Sequence, residues 1–313
     1  MPARVHPIVC PYSVTNVMAY YVDAPTPALI DTGGAGHPPG PIRAALRARG
    51  ADLDTIEAIL NTHGHWDHAG GNAAFRAGAT IHRLGAPLLR DRNAHLDGYY
   101  TMAARAMEQP EEVARLDAAL DAAIGRQTEP ARLIEDGDTI DLGDGVVFRT
   151  IHAPGHSADM TALYWEREGV LIAGDAAQGT GSRVGSGPLY FHSVRDARAS
   201  IARLREVPFA TLHVSHPFGR LGGGERATTF DRAGGLAFLD ESLAALDAIE
   251  EALRAAQRAQ PAAAFPDLAR AAAGELRRAG RWPLAVNPAT GMPDNLAPTL
   301  YVMWREGGET SDE

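Results

Sequence analysis

His63, His65 and His68 lie within six residues, with Asp67 among them, in the run Thr62-His63-Gly64-His65-Trp66-Asp67-His68. Zinc takes imidazole nitrogens and carboxylate oxygens, and a catalytic site keeps one position open for water. In an extended turn, residues two apart point the same way, so His63 and His65 can share one ion. Asp67 and His68 then point elsewhere and can serve a second. Gly64, Gly70 and Gly71 let the backbone wrap closely around ions. Three more donors can complete the two sets: His156 on the first ion, His216 on the second, and Asp175 bridging them. Two such ions, about 3.5–4 Å apart, hold a water between them and lower its pKa toward about 7. Hydroxide then attacks a carbonyl, and Asp67 holds or accepts the proton of the nucleophile.

The chain has 12 histidines, so proximity alone proves little. A lone His156 or His216 would read as a structural histidine or a cap. The weight comes from position, because each donor follows a strand-like run. Residues 17–22 and 28–30 form an opening hairpin closed by Asp31-Thr32-Gly33-Gly34. Residues 34–41 are a Gly/Pro-rich loop, and 42–49 fit a helix with Pro41 in its first turn and Gly50 after it. Residues 56–60 read as a buried strand delivering Asn61-Thr62-His63. Residues 146–151 run into Ala153-Pro154-Gly155-His156, residues 170–173 into Gly174-Asp175, and residues 211–214 into Ser215-His216. Side chains at strand ends, held by a rigid sheet, suit an active site.

Between these two sets lies an insertion, about residues 86–132. Pro110-Glu111-Glu112 opens a helix there, continued by Val113, Leu116, Leu120 and Ile124 at helical spacing. After Gly222-Gly223-Gly224, which lacks a following lysine and reads as a hinge, the texture becomes helical. Leu236, Leu239, Leu243, Leu246, Ile249 and Leu253 mark one face of a long amphipathic helix. An Ala-rich helix follows to about Ala279, and residues 306–313 are expected to be disordered. The expected division is a catalytic domain over 1–220 and a helical extension with a tail over 221–313. The insertion and the C-terminal helices can form a lid or substrate wall, cover the core, or make a dimer surface.

The net charge is −10 and every basic residue is arginine, which removes lysine chemistry such as a Schiff base. An acidic chain without a basic run is poorly suited to a phosphate backbone or an anionic membrane. Cys10 is the single cysteine, so no disulfide forms within the chain, and it is expected to be a small buried residue in a reducing compartment. No apolar run approaches a membrane span and no signal core opens the sequence, so a soluble cytoplasmic protein is expected.

The run Thr62-His63-Gly64-His65-Trp66-Asp67-His68-Ala69-Gly70-Gly71-Asn72 resembles the metal-binding signature of the metallo-β-lactamase superfamily. Its Trp-Asp-His-Ala-Gly-Gly-Asn ending resembles that of glyoxalase II. His156, Asp175 and His216 follow in the family's order, and Asp31-Thr32-Gly33 matches its early Asp-Thr-Gly, so the resemblance covers roughly residues 14–220. It implies an α/β fold, a four-layer αβ/βα sandwich with helices outside two facing sheets, here with the helical insertion and C-terminal helices added. It also implies His63, His65 and His156 on one metal, Asp67, His68 and His216 on the other, and Asp175 on both. The ions expected are two Zn²⁺, with iron or manganese as alternatives. Asp31 is expected to orient a ligand histidine through its other ring nitrogen, although Asp-Thr-Gly-Gly is also good turn chemistry.

The subfamily stays open. Glyoxalase II binds glutathione partly through lysine and carries its last histidine in a Cys-Gly-His-Glu-Tyr context, whereas this chain reads Val214-Ser215-His216-Pro217. Lactonases of the superfamily place a tyrosine soon after the bridging aspartate, where this chain reads Ala176-Ala177-Gln178. Tyr190 and His192, in the later segment Gly187-Pro188-Leu189-Tyr190-Phe191-His192, are candidate substrate contacts or an ordinary packing loop. The function expected is a two-metal hydrolase acting on a small thioester, lactone or related ester, as a monomer or homodimer. The alternative is a mononuclear iron sulfur dioxygenase using His63, His156 and Asp175. A nuclease is disfavoured by charge, and an inactive binding protein by the complete donor set.

Overall fold

A computed structural model describes residues 4–12 and 15–309. The first sheet holds β1 (Arg4–Tyr12), β2 (Thr15–Asp23), β3 (Ala28–Ile30), β4 (Ala58–Leu60), β5 (Ala79–His82) and β6 (Arg132–Ile134), in that order. The hairpins β1/β2 and β2/β3 are antiparallel, and β3 through β6 are mutually parallel. The second sheet holds β7 (Thr139–Asp141), β8 (Val147–His152), β9 (Thr161–Trp165), β10 (Val170–Ile172), β11 (Thr211–His213) and β12 (Thr229–Asp231), also in sequence order.

Side-chain alternation explains why these sheets form layers. On β2, Val17, Ala19 and Tyr21 enter one apolar cluster, which includes Ile42 and Leu46 at the helix α1 (Arg43–Arg47). Met18, Tyr20 and Val22, on the opposite face, join Phe148, Leu163, Trp165 and Ile172 of the second sheet. On β9 the same rule turns Leu163 and Trp165 inward and Ala162 and Tyr164 outward. Strands buried on both faces read as continuous apolar runs, which is why they were visible in the sequence. The result is the expected arrangement of two facing sheets with helices outside.

The remaining helices are α2 (Trp66–Ala69), α3 (Ala86–Arg90), α4 (Arg92–His95), α5 (Met102–Ala106), α6 (Pro110–Ala123), α7 (Val194–Glu206), α8 (Arg232–Ala259), α9 (Phe265–Ala279) and α10 (Leu296–Glu309). Helices α3 to α6 make up the insertion. Helices α7 to α10 cover the outer face of the second sheet, where Leu246, Ile249, Leu268 and Leu300 share one cluster with Tyr164, Leu171 and Leu212.

Two expectations are corrected. The sheet does not begin at residue 17: β1 precedes it, masked in the sequence by Pro7 and Pro11. Proline cannot donate to a ladder and is tolerated on an edge strand, which is the place β1 occupies. Glu306–Glu309 are not a disordered tail but the end of α10, and Glu306 accepts from Ser193 Oγ at 2.7 Å. Composition suggested a polar end, but Leu296, Leu300 and Val302 on the same helix are fully buried. Residues 310–313 of that expected tail lie outside the described residues. Among the described residues no helix is long and apolar enough to cross a membrane. Cys10 is fully buried, and burial pushes its thiol up to about 12.

His213 makes β11 acid-sensitive. It is buried, with Nδ1 2.9 Å from Thr229 Oγ1, and burial holds its pKa down to about 4 against an ordinary 6.5. The unfolded chain therefore takes up the proton first as pH falls. The stability contributed by neutral His213 is complete above 6.5 and is lost progressively toward 4, about 2 kcal/mol of it by pH 5. Urea unfolding of metal-free protein at pH 7.5 and 5 is expected to show a smaller acid loss in His213→Gln than in the wild type. Equal losses would place the acid sensitivity elsewhere.

Candidate metal centre

The donors arrive at one edge because the strands carrying them share a direction. Parallel β3 and β4 end at Ile30 and Leu60, just before Asp31 and Asn61-Thr62-His63. In the second sheet β8, β10 and β11 run the same way, and the chain beyond them carries His156, Asp175 and His216. His65 sits at the N-terminal cap of α2, which places Asp67 in its first turn and His68 one residue on.

Seven side chains converge there. The ligand atoms of His63, His65 and His156 lie within 4.8 Å of one another, as do those of Asp67, His68 and His216, and those of His63, His68 and Asp175. Asp175 stands between the first two groups, with Oδ2 3.7 Å from His156 Nε2 and 3.4 Å from His216 Nε2. The structure brings together the seven side chains singled out in the sequence, and His63 and His68 also meet across the two expected sets.

The ring nitrogens explain what such a cluster can hold. His63 Nε2 faces His65 Nδ1 at 3.1 Å, and His65 Nδ1 faces His156 Nε2 at 2.8 Å. Four outward nitrogens are tethered, His63 Nδ1 to Thr62 Oγ1, His156 Nδ1 to the Leu189 carbonyl, His68 Nδ1 to Asp31 Oδ2 and His216 Nδ1 to the Asn16 carbonyl, while His65 Nε2 is buried without a partner. An imidazole that donates outward points a bare lone pair inward. His63 Nε2 and His156 Nε2 thus point bare lone pairs at His65 Nδ1, and a cation among the three nitrogens can bind them all. His68 Nε2 and Asp175 Oδ1 are buried without a hydrogen-bond partner, the sign of a site built for one more atom. The donor set therefore fits divalent metal ions.

The electrostatics agree. Burial, reinforced by neighbouring imidazoles, holds His63 and His65 well below the usual histidine range, and burial also lowers His156. Burial opposes charge on Asp67 and Asp175, but His68 and His216 outweigh it and hold both carboxyls below their ordinary value. Burial likewise opposes charge on His68, yet Asp67, Asp31 and Asp175 raise its pKa to about 9. His63, His65 and His156 are thus neutral and ready to bind a metal, whereas His68 and His216, which the carboxylates raise against the opposing effect of burial, release a proton when an ion enters.

Several groups hold the loop in place. Asp31 is fully buried, accepts from Thr62 N and Thr62 Oγ1 at 2.8 Å each, and holds His68 Nδ1 at 2.9 Å. Thr32 Oγ1 donates to Asn72 Oδ1 at 2.7 Å, and Asn72 Nδ2 donates to Asn61 Oδ1 at 2.8 Å. A Cβ on Gly70 would run into the Trp66 carbonyl, and one on Gly71 into the Thr32 carbonyl, so these two positions need glycine for close approach.

Asp159 was missed in the sequence because it belongs to no spacing pattern. It is fully buried three residues beyond His156, and its Oδ2 accepts from Gly64 N at 2.7 Å. It thus ties the loop bearing His63 and His65 to the loop bearing His156. Asp159→Ala is expected to weaken metal retention about 10- to 100-fold, the range for groups that orient ligands, as read by competition with a chelator. Unchanged retention would make Asp159 a structural carboxylate only.

A cavity of about 430 Å³ opens over the donors, with His65, Asp67, His156, Asp175 and His216 at its floor. Both undecided segments line it: Tyr100, Met107 and Leu116 from the insertion, Met292 and Ala297 from the C-terminal part. Tyr12 and Tyr100 stand beside the floor, Tyr12 edge-on to Trp66 at 4.6 Å and Tyr100 with its ring 5.5 Å from that of His65. Neither carried a signal in the sequence, since each lies in a segment remote from the metal motif.

Tyr190 and His192 do not line the cavity; Leu189 and Phe191 do. The backbone is pinned there, with Leu189 N donating to Gln178 Oε1 at 2.8 Å and Tyr190 N to Thr299 Oγ1 at 2.9 Å. Successive side chains of extended chain point to opposite sides, so Tyr190 is fully buried among the outer helices. His192 is partly exposed and faces Asp196 at 3.7 Å.

A sequence profile of the Metallo-beta-lactamase superfamily matches residues 13–216. The hydroxyacylglutathione hydrolase of Methylococcus capsulatus is 29% identical over 172 residues, 55% of this chain and 51% of that protein. The protein of the same name from Thermosynechococcus vestitus is 28% identical over 173 residues, 55% of this chain and 52% of that protein. The chain thus spans about half the length of these relatives. In three dimensions, a metallo-beta-lactamase family protein from Thermus thermophilus superposes with a TM-score of 0.70 at 23% identity, over 98% of this chain and 94% of that one. A metallo-beta-lactamase from Cronobacter sakazakii superposes at 0.56 and 24% identity, over 79% and 91%. Both structural likenesses speak to the fold, including, for the Thermus protein, the C-terminal helices.

Proposed function

The chain belongs to the metallo-beta-lactamase superfamily, and from that premise we propose that it is a two-zinc hydrolase cleaving a small thioester, lactone or related carboxylic ester. The observation that carries this reading is the convergence of two donor groups joined by Asp175 on the floor of a cavity. His63, His65 and His156 would hold one ion and Asp67, His68 and His216 the other. Bound there, the ions would polarise the substrate carbonyl and make water a nucleophile at neutral pH.

The chain's own residues supply the rest. Asp67, kept ionised, holds the proton released when the water oxygen bonds to the carbonyl carbon. That proton leaves with the alcohol or thiol when the acyl bond breaks. Trp66, Tyr100 and Phe191 narrow the space above the floor and limit bulk water. Residues 1–220 form the catalytic unit in this reading, and 221–313 complete the cavity wall. The single buried thiol suits a reducing compartment, the cytoplasm.

The test is the initial hydrolysis rate of zinc-loaded protein on S-lactoylglutathione and on an N-acyl homoserine lactone. Turnover of either, lost in Asp67→Ala, supports the reading. No turnover by fully loaded protein, or oxygen uptake with a persulfide by an iron-bound form, would overturn it.

A further inference from the structure

The cavity combines an apolar wall with a rim that carries no net charge. Ala103, Ala104, Met107, Leu116, Leu120 and Met292 supply its apolar lining. Each rim guanidinium stands beside an acid. Glu112 holds Arg115 in a two-point fork at 2.7 and 2.6 Å. Asp294 lies 3.9 Å from Arg183 Nη1. Gln109 directs its amide to the Thr290 carbonyl at 2.9 Å, closing the insertion against the C-terminal part. Arg183 Nε is buried without a partner and can donate to a neutral oxygen.

We infer that the substrate is an uncharged ester or lactone whose apolar arm lies along the wall formed by α5, α6 and Met292. This rests on the hydrolase reading above and narrows it. A glutathione thioester brings two carboxylates and one ammonium. A carboxylate at Arg115 would compete with the two-point fork from Glu112, and a peptide lying along α5, α6 and Met292 would meet aliphatic side chains there. An alkyl arm meets only carbon and sulfur there, and each methylene removed from water favours binding.

The experiment uses metal-loaded protein and two non-hydrolysable probes, with binding followed by calorimetry. In an N-alkylacetamide series from ethyl to octyl, affinity is expected to rise up to about fourfold per methylene. S-methylglutathione is expected to bind more weakly than the octyl compound. Leu116→Trp, at a half-buried position facing the cavity, is expected to remove most of the chain-length gain while metal content stays unchanged. Flat affinity along the series in the wild type, or tighter binding of S-methylglutathione, overturns the inference without needing the variant. Rates on p-nitrophenyl butanoate and decanoate separate the two readings. A rising binding series with no hydrolysis of either ester would sink the hydrolase reading and leave the apolar arm site standing.

Discussion

Asp175→Ala is expected, on the two-zinc hydrolase reading, to lose both metal ions on desalting and to lower hydrolysis about 100- to 1,000-fold, the scale seen when one preorganised stabiliser of developing charge is removed. Asp175 is the donor that no other residue can replace. Its Oδ2 lies within 3.8 Å of ring nitrogens from His68, His156 and His216, so both groups are organised around it. Its removal leaves neutral and protonated imidazoles facing one another with one carboxylate fewer. Metal analysis by mass spectrometry gives the stoichiometry directly. Thermal unfolding supplies an independent reading, because an ion that binds only the folded state raises the melting temperature. Zinc should raise that of the wild type and leave that of the variant nearly unmoved. Full metal content with full activity in the variant would remove Asp175 from the centre.

Asp31→Ala is expected to cost about 3 kcal/mol of stability and to weaken metal retention about 10- to 100-fold. Three donors depend on this fully buried carboxylate: Thr62 N, Thr62 Oγ1 and His68 Nδ1. Alanine strands all three in the interior, where an unsatisfied group carries its full desolvation cost. Asp31 also sits at φ 59°, a left-handed conformation that aspartate and asparagine tolerate better than alanine. Asp31→Asn should accordingly be milder in urea unfolding, since it keeps the backbone preference and one acceptor oxygen. Its metal retention should still fall, because the charge holding His68 is gone. An alanine variant as stable and as metal-replete as the wild type would reduce Asp31 to a turn residue.

The meeting of the seven side chains was legible in the chain because each lies on a segment that a strand delivers. Alternation set the direction of His63 against His65, and apolar runs such as 170–173 marked the strands that deliver the rest. Their common direction within each sheet then brings the ends to one edge. The same reasoning made the long face of α8 visible, since Leu239, Leu246, Ile249 and Leu253 repeat at helical spacing. Tertiary structure decided everything that depends on segments distant in sequence. It chose which nitrogen of each histidine turns inward, through partners such as Asn16 and Leu189 that no spacing rule connects. It placed Asp159 under Gly64 and turned Tyr190 into the helices while Phe191 faces the cavity. It built that cavity from Tyr12, Tyr100, Arg183 and Met292, whose proximity exists only after two sheets, the insertion and α10 have packed. A side chain's direction over one turn is a local property of the backbone, whereas the chemistry of a pocket wall belongs to surfaces that meet only in the folded state.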